Sequence, residues 1–543
     1  MVFSWISVQA LAAELAIHRL YAPVGSVGRG IVLYVCLFAV LGLAKVCYRT
    51  LIYPDYVSPY RNLPAPEHRS KLLGAFISYY VEQDFDAGRR HAEAHRDLPF
   101  VRFPGVLGAD CLVPTSIAAA TEILNGQVYD FGKPQTLLRG FRGVFGNGLF
   151  LAEGEVHRQQ RKLVTPALAL PQVRGMIPVI TRNCKHATEV LDAGKKAGEV
   201  VVLETIHFMA RLTLDIIGEA SFGSSMRAVD DEHGAVTTAY WAITNPKAMP
   251  KIYTLNALIP GFNKLPLAIN RQLWRDQATV YSFCKNLAME RKSFYDARRQ
   301  KASEAGAILE KEPYSSDVVS YFVQDTSHNW TADEIANQMM VFLIGGHEST
   351  TTTISWALFQ MCESQDMQER ARAEIRENFP DGIESIRTQA DLDKMPFVQN
   401  FIMEILRLRG PVPRTVREAY KDTYVQGVKI RKGTDIDILP PLFNRDRSLW
   451  GDDADSFNPD RWATRRPAEA YAFMTFLNGV RICIGRRMAE FELRLLLAAF
   501  VGRYKLEFEQ PGLTIDAMET GCVFTFRPVD EVHVKMTIID DWN

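Results

Sequence analysis

The chain has 543 residues, 62 of them basic and 63 acidic, for a formal net charge of −1. With 23% charged and 47% apolar residues it has globular composition, which excludes disordered, collagen-like and low-complexity classes. The near-zero charge argues against wrapping nucleic acid, which takes clustered excess Lys and Arg. Its eight Cys stand singly with no CxxC pair, which excludes zinc ribbons and redox dithiols and reads as a reducing-side chain.

In chain order, residues 1–29 form an apolar, amphipathic segment in which Ser4, Ser7, Glu14, His18 and Arg19 share one helical arc. Met1–Ile17 has no basic residue, so a cleaved signal is not expected. Ile31–Ala44 is uncharged and, extended past Lys45 to Ile52, approaches the ~20 residues that cross a bilayer. Residues 30–52 are therefore read as a transmembrane anchor. Residues 53–69, with Pro54, Pro59, Pro64 and Pro66, read as a stiff stalk, and residues 70–543 as the body. Arg49, Arg61, Arg69 and Lys71 follow the apolar run more densely than Arg19 and Arg29 precede it, which places the body in the cytoplasm.

The body shows no repeat. Helical patterns cover Thr331–Cys362, opened by Thr331 with early acids, then Ser364–Asn378, Pro396–Leu408 and Arg487–Tyr504. Strand patterns appear at Tyr424–Ile430, Thr434–Leu439, Val523–Arg527 and Val532–Ile538. The expected fold is mainly α with a minor β portion around one core. Ile252–Leu267 is apolar enough to be either plain core or a second membrane contact or pocket lid.

The segment Phe476-Leu-Asn-Gly479-Val-Arg481-Ile-Cys483-Ile-Gly485 sets one Cys between two Gly just before a helix. Gly479 and Gly485 would let the backbone pass close to a flat group, and amides at the helix start would lower the thiol pKa. It resembles the haem-binding signature FxxGxRxCxG of the cytochrome P450 family. The resemblance implies that Cys483 is the axial ligand of haem b (iron protoporphyrin IX), its thiolate donating electron density that favours O–O cleavage.

Three further motifs follow the family's order over about residues 60 to 535. Glu404-Ile-Leu-Arg407 resembles its ExxR pair and Phe457-Asn-Pro-Asp-Arg461 the segment whose Arg completes a buried structural ion network. Asn444-Arg-Asp departs from the frequent His-Arg-Asp. Gly345-Gly346-His347-Glu348-Ser349-Thr350 resembles the oxygen-activating stretch of the central helix. There the two Gly would leave a groove for dioxygen. Glu348 and Ser349, with Thr350 as a substitute, would relay protons, Ser349 standing at the usual Thr position. Thr351–Thr353 read as helix packing, and a zinc-protease HExxH fails because residue 351 is Thr. Gly154–Lys162 resembles the WxxxR segment with His157 in place of Trp; His157, Arg161, Arg417 and Arg481 are the implied propionate partners.

The family implies a monooxygenase that splits dioxygen between an apolar small molecule, of the fungal secondary-metabolite kind, and water. The stretch after Cys483 is too short for a fused flavin reductase. Electrons are therefore expected from an NADPH–cytochrome reductase of the endoplasmic reticulum membrane, with a small haem protein as a second donor. Arg158, Arg161, Lys162, Arg486 and Arg487 are a candidate docking face. Pocket candidates are the loop before Gly154, residues 220–265, Ile344, Thr415–Val416 and Val523–Phe524. Rival readings are a haem-thiolate isomerase or dehydratase that does not use dioxygen, a non-catalytic haem sensor, and a membrane protein without haem. The sequon Asn329-Trp330-Thr331 is expected to stay unmodified on a cytoplasmic body.

Overall fold

The computed structural model describes residues 27–66, 70–74, 85–244, 252–253, 255–256, 259, 261–304, 317–464, 467, 469–522, 525–540 and 542. The amphipathic reading of the first residues and the pocket candidates Val523 and Phe524 lie outside these. The chain divides into two compact units. One takes in the chain up to Ala119 together with Lys421–Asp437, and the other takes in Ala120–Tyr420 and Ile438–Asn543.

In the first unit, Val27–Cys47 is a helix that continues as a wider turn over Tyr48–Val57. Among the described residues Val32–Val57 is the one unbroken helix long and apolar enough to cross a membrane. The helical path runs through Pro54, where a stalk was expected. The segment after it is tied down. Tyr53 Oη donates to Asp110 Oδ2 (2.6 Å) and Ser58 Oγ to Asp110 Oδ1 (2.7 Å). Tyr60 Oη meets Thr434 Oγ1 at 2.9 Å, and Arg102 Nη1 donates to Pro54 O (2.7 Å). Polar side chains with partners inside the unit leave this stretch no reason to extend into solvent.

Phe100–Arg102 pairs antiparallel with Cys111–Pro114, which runs parallel to Asp435–Ile438 from the Cys111↔Asp435 pair. The single strand expected over Tyr424–Ile430 is a hairpin, Thr423–Val425 with Val428–Ile430. Its two turn residues, Gln426 and Gly427, both have positive φ (47° and 78°), the geometry that matches strand twist in a two-residue turn.

The second unit is built on the central helix Ala332–Glu363. Thr331 Oγ1 accepts from Glu334 N (3.2 Å) while Glu334 Oε2 accepts from Thr331 N (2.8 Å), a reciprocal cap that fixes its start. Against it packs Thr205–Phe222, capped by the Glu204 side chain and ended by Gly223 in the left-handed region (φ 67°). Leu170–Asp192 and Arg486–Arg503 complete this core; the latter ends one residue early because Tyr504 opens a strand. His533–Ile538 is the middle of a three-stranded antiparallel sheet with Val200–Glu204 and Tyr504–Phe508. Its alternate residues Val534, Met536 and Ile538 are buried, the period-2 pattern of a half-covered strand. Thr520–Cys522 and Phe526–Pro528 form a separate hairpin. The apolar stretch after residue 251 divides. Ile252 and Tyr253 are buried, Tyr253 against Phe141 (ring centroids 5.1 Å apart), whereas Leu255, Ile259, Leu265 and Leu267 are exposed.

Candidate active site

The Cys loop is shaped by its own backbone. Cys483 N donates to Phe476 O (2.9 Å) and closes the turn. Gly479 has φ +75°, and a Cβ there would sit 2.4 Å from Leu124 O, so protein packing demands this glycine. At Gly485 a Cβ would meet no protein atom within 4 Å. Cys483 keeps accessible surface although protein atoms surround it. The thiol pKa is raised, against the expectation from sequence. Burial outweighs the opposing pull of the Gly485 and Arg486 amides and of the Arg161 and Arg486 charges.

Close to this loop the chain gathers cations. Arg481 Nη2 donates to Glu153 Oε2 (2.5 Å) and Lys133 Nζ to Glu153 Oε1 (3.0 Å). Arg417 is buried, its Nη1 held by Thr415 Oγ1 (2.9 Å) and Val416 O (2.8 Å). His157 Nδ1 lies 3.3 Å from Tyr129 Oη, and Arg481 sits over the Tyr129 ring. Burial first, then mutual repulsion, pushes His157 down to about 4 and Arg417 to about 10. Burial pushes Lys133 down to about 8, although Glu153 pulls it back. Arg161, half-buried, is near enough to Cys483 to feel its charge. Arg481 Nε is buried with no partner. Among the described residues one carboxylate, Glu153, is bonded to this group of cations. Such a surplus fits a dianionic ligand lying beside Cys483, and the two propionates of a haem supply that charge.

Glu404 is fully buried and takes five donors. Arg407 meets it through Nε and Nη2 (both 2.8 Å), Arg461 through Nε (2.8 Å), Trp462 through Nε1 (3.0 Å) and Asn458 through its amide (2.9 Å). Arg407 also donates to the carbonyls of Asn444 and Ala454. Asn444 donates to Thr475 Oγ1 (2.8 Å) and accepts from Met474 N (2.7 Å), which ties this network to the chain leading into the Cys loop. The bidentate pair and the third cation give one carboxylate a full set of partners, the condition for a buried ion network to hold.

On the central helix the two glycines differ. A Cβ on Gly345 would meet nothing within 4 Å, whereas one on Gly346 would lie 2.7 Å from Ile217 Cδ1. Gly345 thus leaves open space as expected, but Gly346 serves packing. Ser349 Oγ donates back to Gly345 O (2.6 Å). Glu348 turns elsewhere, accepting from Thr525 Oγ1 (3.3 Å) with Arg527 Nη1 at 3.9 Å. Its carboxyl pKa is raised by burial, opposed by Arg527 and Thr525. Thr350 is buried. His347 is fixed between Tyr240 Oη (3.0 Å) and Ala210 O (2.9 Å), and burial pushes it down to about 3. Thr351 is packing, as expected, against Thr213 (2.6 Å).

Of the candidate docking residues, Lys162 and Arg487 are exposed, Arg158 pairs with Glu155 (2.9 Å) and Arg486 with Glu490 (2.8 Å). Ile344, Thr415 and Val416 are half-buried. Sequence reasoning missed Lys133, Glu153, Tyr129, Thr525 and Arg527. Each is one unremarked residue outside a motif, and only the fold brings them to the site.

A family model described as Cytochrome P450 matches residues 109–531. The chain is 32% identical to cytochrome P450 monooxygenase sphH of Aspergillus fumigatus, with 95% of each chain covered. It is 27% identical to cytochrome P450 monooxygenase FSL4 of Gibberella zeae over 94% of each chain. It is 28% identical to cytochrome P450 monooxygenase FUM15 of Gibberella moniliformis over 87% of each. Among solved structures, the cytochrome P450DA heme domain has the same fold. The TM-score is 0.70 at 20% identity, covering 88% of this chain and 97% of that one.

Proposed function

From the premise that the chain belongs to the cytochrome P450 family and is a P450 monooxygenase like its fungal relatives, we propose that it binds haem b through Cys483 and inserts one oxygen atom of dioxygen into an apolar small molecule, a fungal secondary metabolite. The observation that carries this is the cation surplus gathered around Glu153 near the Cys483 loop.

When bound, the haem supplies dioxygen activation and one-electron chemistry. The chain's part is to hold and protonate. Cys483 Sγ would hold the iron as a thiolate, the deprotonated form that metal ligation demands. Arg161, Arg417, Arg481 and His157, joined by Lys133, would hold the propionates. Gly479 fixes the turn and Gly485 leaves clear space beside it. Glu348 holds a proton at its carboxyl, and the Ser349 hydroxyl, with Thr350 as a substitute, would complete its delivery. Glu404, Arg407 and Arg461 are structural.

Electrons come from an NADPH–cytochrome reductase, docked on the basic side chains beside Cys483, with a small haem protein as a second donor. The helix within residues 30–52 anchors the protein in the endoplasmic reticulum membrane, with the body at 70–543 in the cytoplasm. The exposed Leu255, Ile259, Leu265 and Leu267 support a body that works against an apolar phase. Reduced protein under carbon monoxide should show the absorption band of a thiolate-ligated haem, and Cys483→Ala should lose it. Correctly folded protein with no such band would refute the assignment. Labelled dioxygen then separates oxygen insertion from rearrangement of an oxygenated substrate.

A further inference from the structure

Glu348, Thr352 and Trp356 recur every fourth residue along one face of the central helix, and all three bond to the short segment at Thr525–Arg527. Thr352 Oγ1 donates to Thr525 Oγ1 (2.8 Å), which donates on to Glu348 Oε1 (3.3 Å). Trp356 Nε1 donates to Phe526 O (2.9 Å), and Arg527 Nη1 lies 3.9 Å from the Glu348 carboxylate. Ser349, the other half of the acid–alcohol pair, is served from within the helix by Gly345 O. The two groups are thus held by different elements and can be perturbed separately.

Resting on the reading of Glu348 as a proton carrier, we propose that Thr525 and Arg527 are positioning residues: they hold the Glu348 carboxyl toward the C-terminal hairpin, so that this hairpin governs proton delivery. Two features favour this over a plain structural seam. First, Thr525 is buried and uses its hydroxyl in both directions, so it transmits the orientation of Thr352 to the acid. Second, Arg527 stands beyond hydrogen-bond reach and keeps a fifth of its side chain exposed, while Glu348 is buried. It tempers the cost of the charged form without locking it.

The other titratable groups facing Glu348 are Tyr240 and Tyr253, both with phenols raised by burial, and His347 beside it, kept neutral by burial. Arg527 is therefore the cation that sets the balance. Burial raises the Glu348 carboxyl, and Arg527 and Thr525 oppose it.

The test uses full-length holoprotein with its reductase, and Thr525→Val, Thr525→Ser, Arg527→Gln and Glu348→Gln. The infrared carboxyl band lost in Glu348→Gln identifies Glu348. In Thr525→Val and Arg527→Gln its titration should move to higher pH by about one unit. Product formed per NADPH consumed should fall about 3- to 10-fold, with the carbon monoxide band intact. Thr525→Ser, which keeps the hydroxyl, should restore both. An unmoved band with unchanged coupling in Thr525→Val and Arg527→Gln would overturn the positioning role. Undiminished coupling in Glu348→Gln would instead overturn the proton-carrier reading, whatever the band does. Should Thr525→Val not fold, Arg527→Gln decides alone.

Discussion

Lys133 Nζ reaches Glu153 Oε1 at 3.0 Å, and the other oxygen of that carboxylate is taken by Arg481 at 2.5 Å. One anion thus shares two buried cations, with Arg417 close enough to lower Lys133 further. The cluster is short of negative charge by itself.

That shortage predicts how the ligand is held. Lys133→Met removes one charged contact worth about 1.5–3 kcal/mol. Haem loss to an apomyoglobin acceptor should accelerate about tenfold or more, with the carbon monoxide band unshifted. A loss rate equal to that of the parent protein would sink the propionate role of Lys133.

A second expectation concerns acid. His347 is bonded through both ring nitrogens and held neutral, with a pKa of about 3. The unfolded imidazole takes its proton near pH 6.5. Between these values the unfolded chain binds a proton that the folded one refuses, so stability is full above pH 6.5 and is lost as pH falls toward 3. Urea melts from pH 7 to 5 should show His347→Gln with a shallower dependence, by about one proton. Parallel slopes would show that this imidazole does not resist protonation.

Glu492 behaves in the opposite sense. It is buried in the Arg486–Arg503 helix, Oε1 has no partner, and burial pushes its carboxyl up to about 8. The folded state holds a proton that the unfolded chain has already released above about pH 4.3. Its contribution is intact below that pH and is lost as pH rises toward 8. Glu492→Gln, which keeps shape without charge, should gain stability over the parent as pH climbs from 5 to 8, reaching a few kcal/mol, about 3. Equal melting curves at pH 8 would contradict the buried neutral acid.

The amino-terminal boundary gives a fourth. Removing residues through Cys47 leaves Tyr53, Ser58 and Tyr60 on Asp110 and Thr434. Such a protein should lose most of its membrane association in a flotation assay, the exposed Leu255, Ile259, Leu265 and Leu267 retaining the remainder, and keep its melting temperature. Cutting through Tyr60 removes these three hydrogen bonds together with those from Arg102 to Pro54 O and from Arg431 N to Tyr60 Oη, about 1 kcal/mol each, and should lower it by several degrees. Equal melting temperatures for the two truncations would mean that these bonds contribute nothing.

How much of this was legible beforehand depends on whether the residues were local. The Cys loop, the Glu404–Arg407 pair and the cap at Thr331 each lie within a few residues of sequence, and spacing alone indicates them. The hairpin at Gln426–Gly427 was hidden because Gln rarely takes positive φ. The direction of the Cys483 shift was misjudged because sequence lists the amides that favour a thiolate but not the burial that opposes them. Glu153 meets Arg481 across 328 residues and Thr525 meets Glu348 across 177, and no periodicity reports such distances.

The unlike surroundings of Gly345 and Gly346 set separate limits on change along the central helix. Ile217, itself buried, would have to move to admit even one methyl at residue 346, and the Thr205–Phe222 helix would move with it. At residue 345 the same methyl displaces no protein atom. A lineage, or an engineer, seeking a different substrate shape can therefore vary the first glycine while the second is held fixed by its neighbour. Two adjacent and identical letters thus meet opposite steric limits.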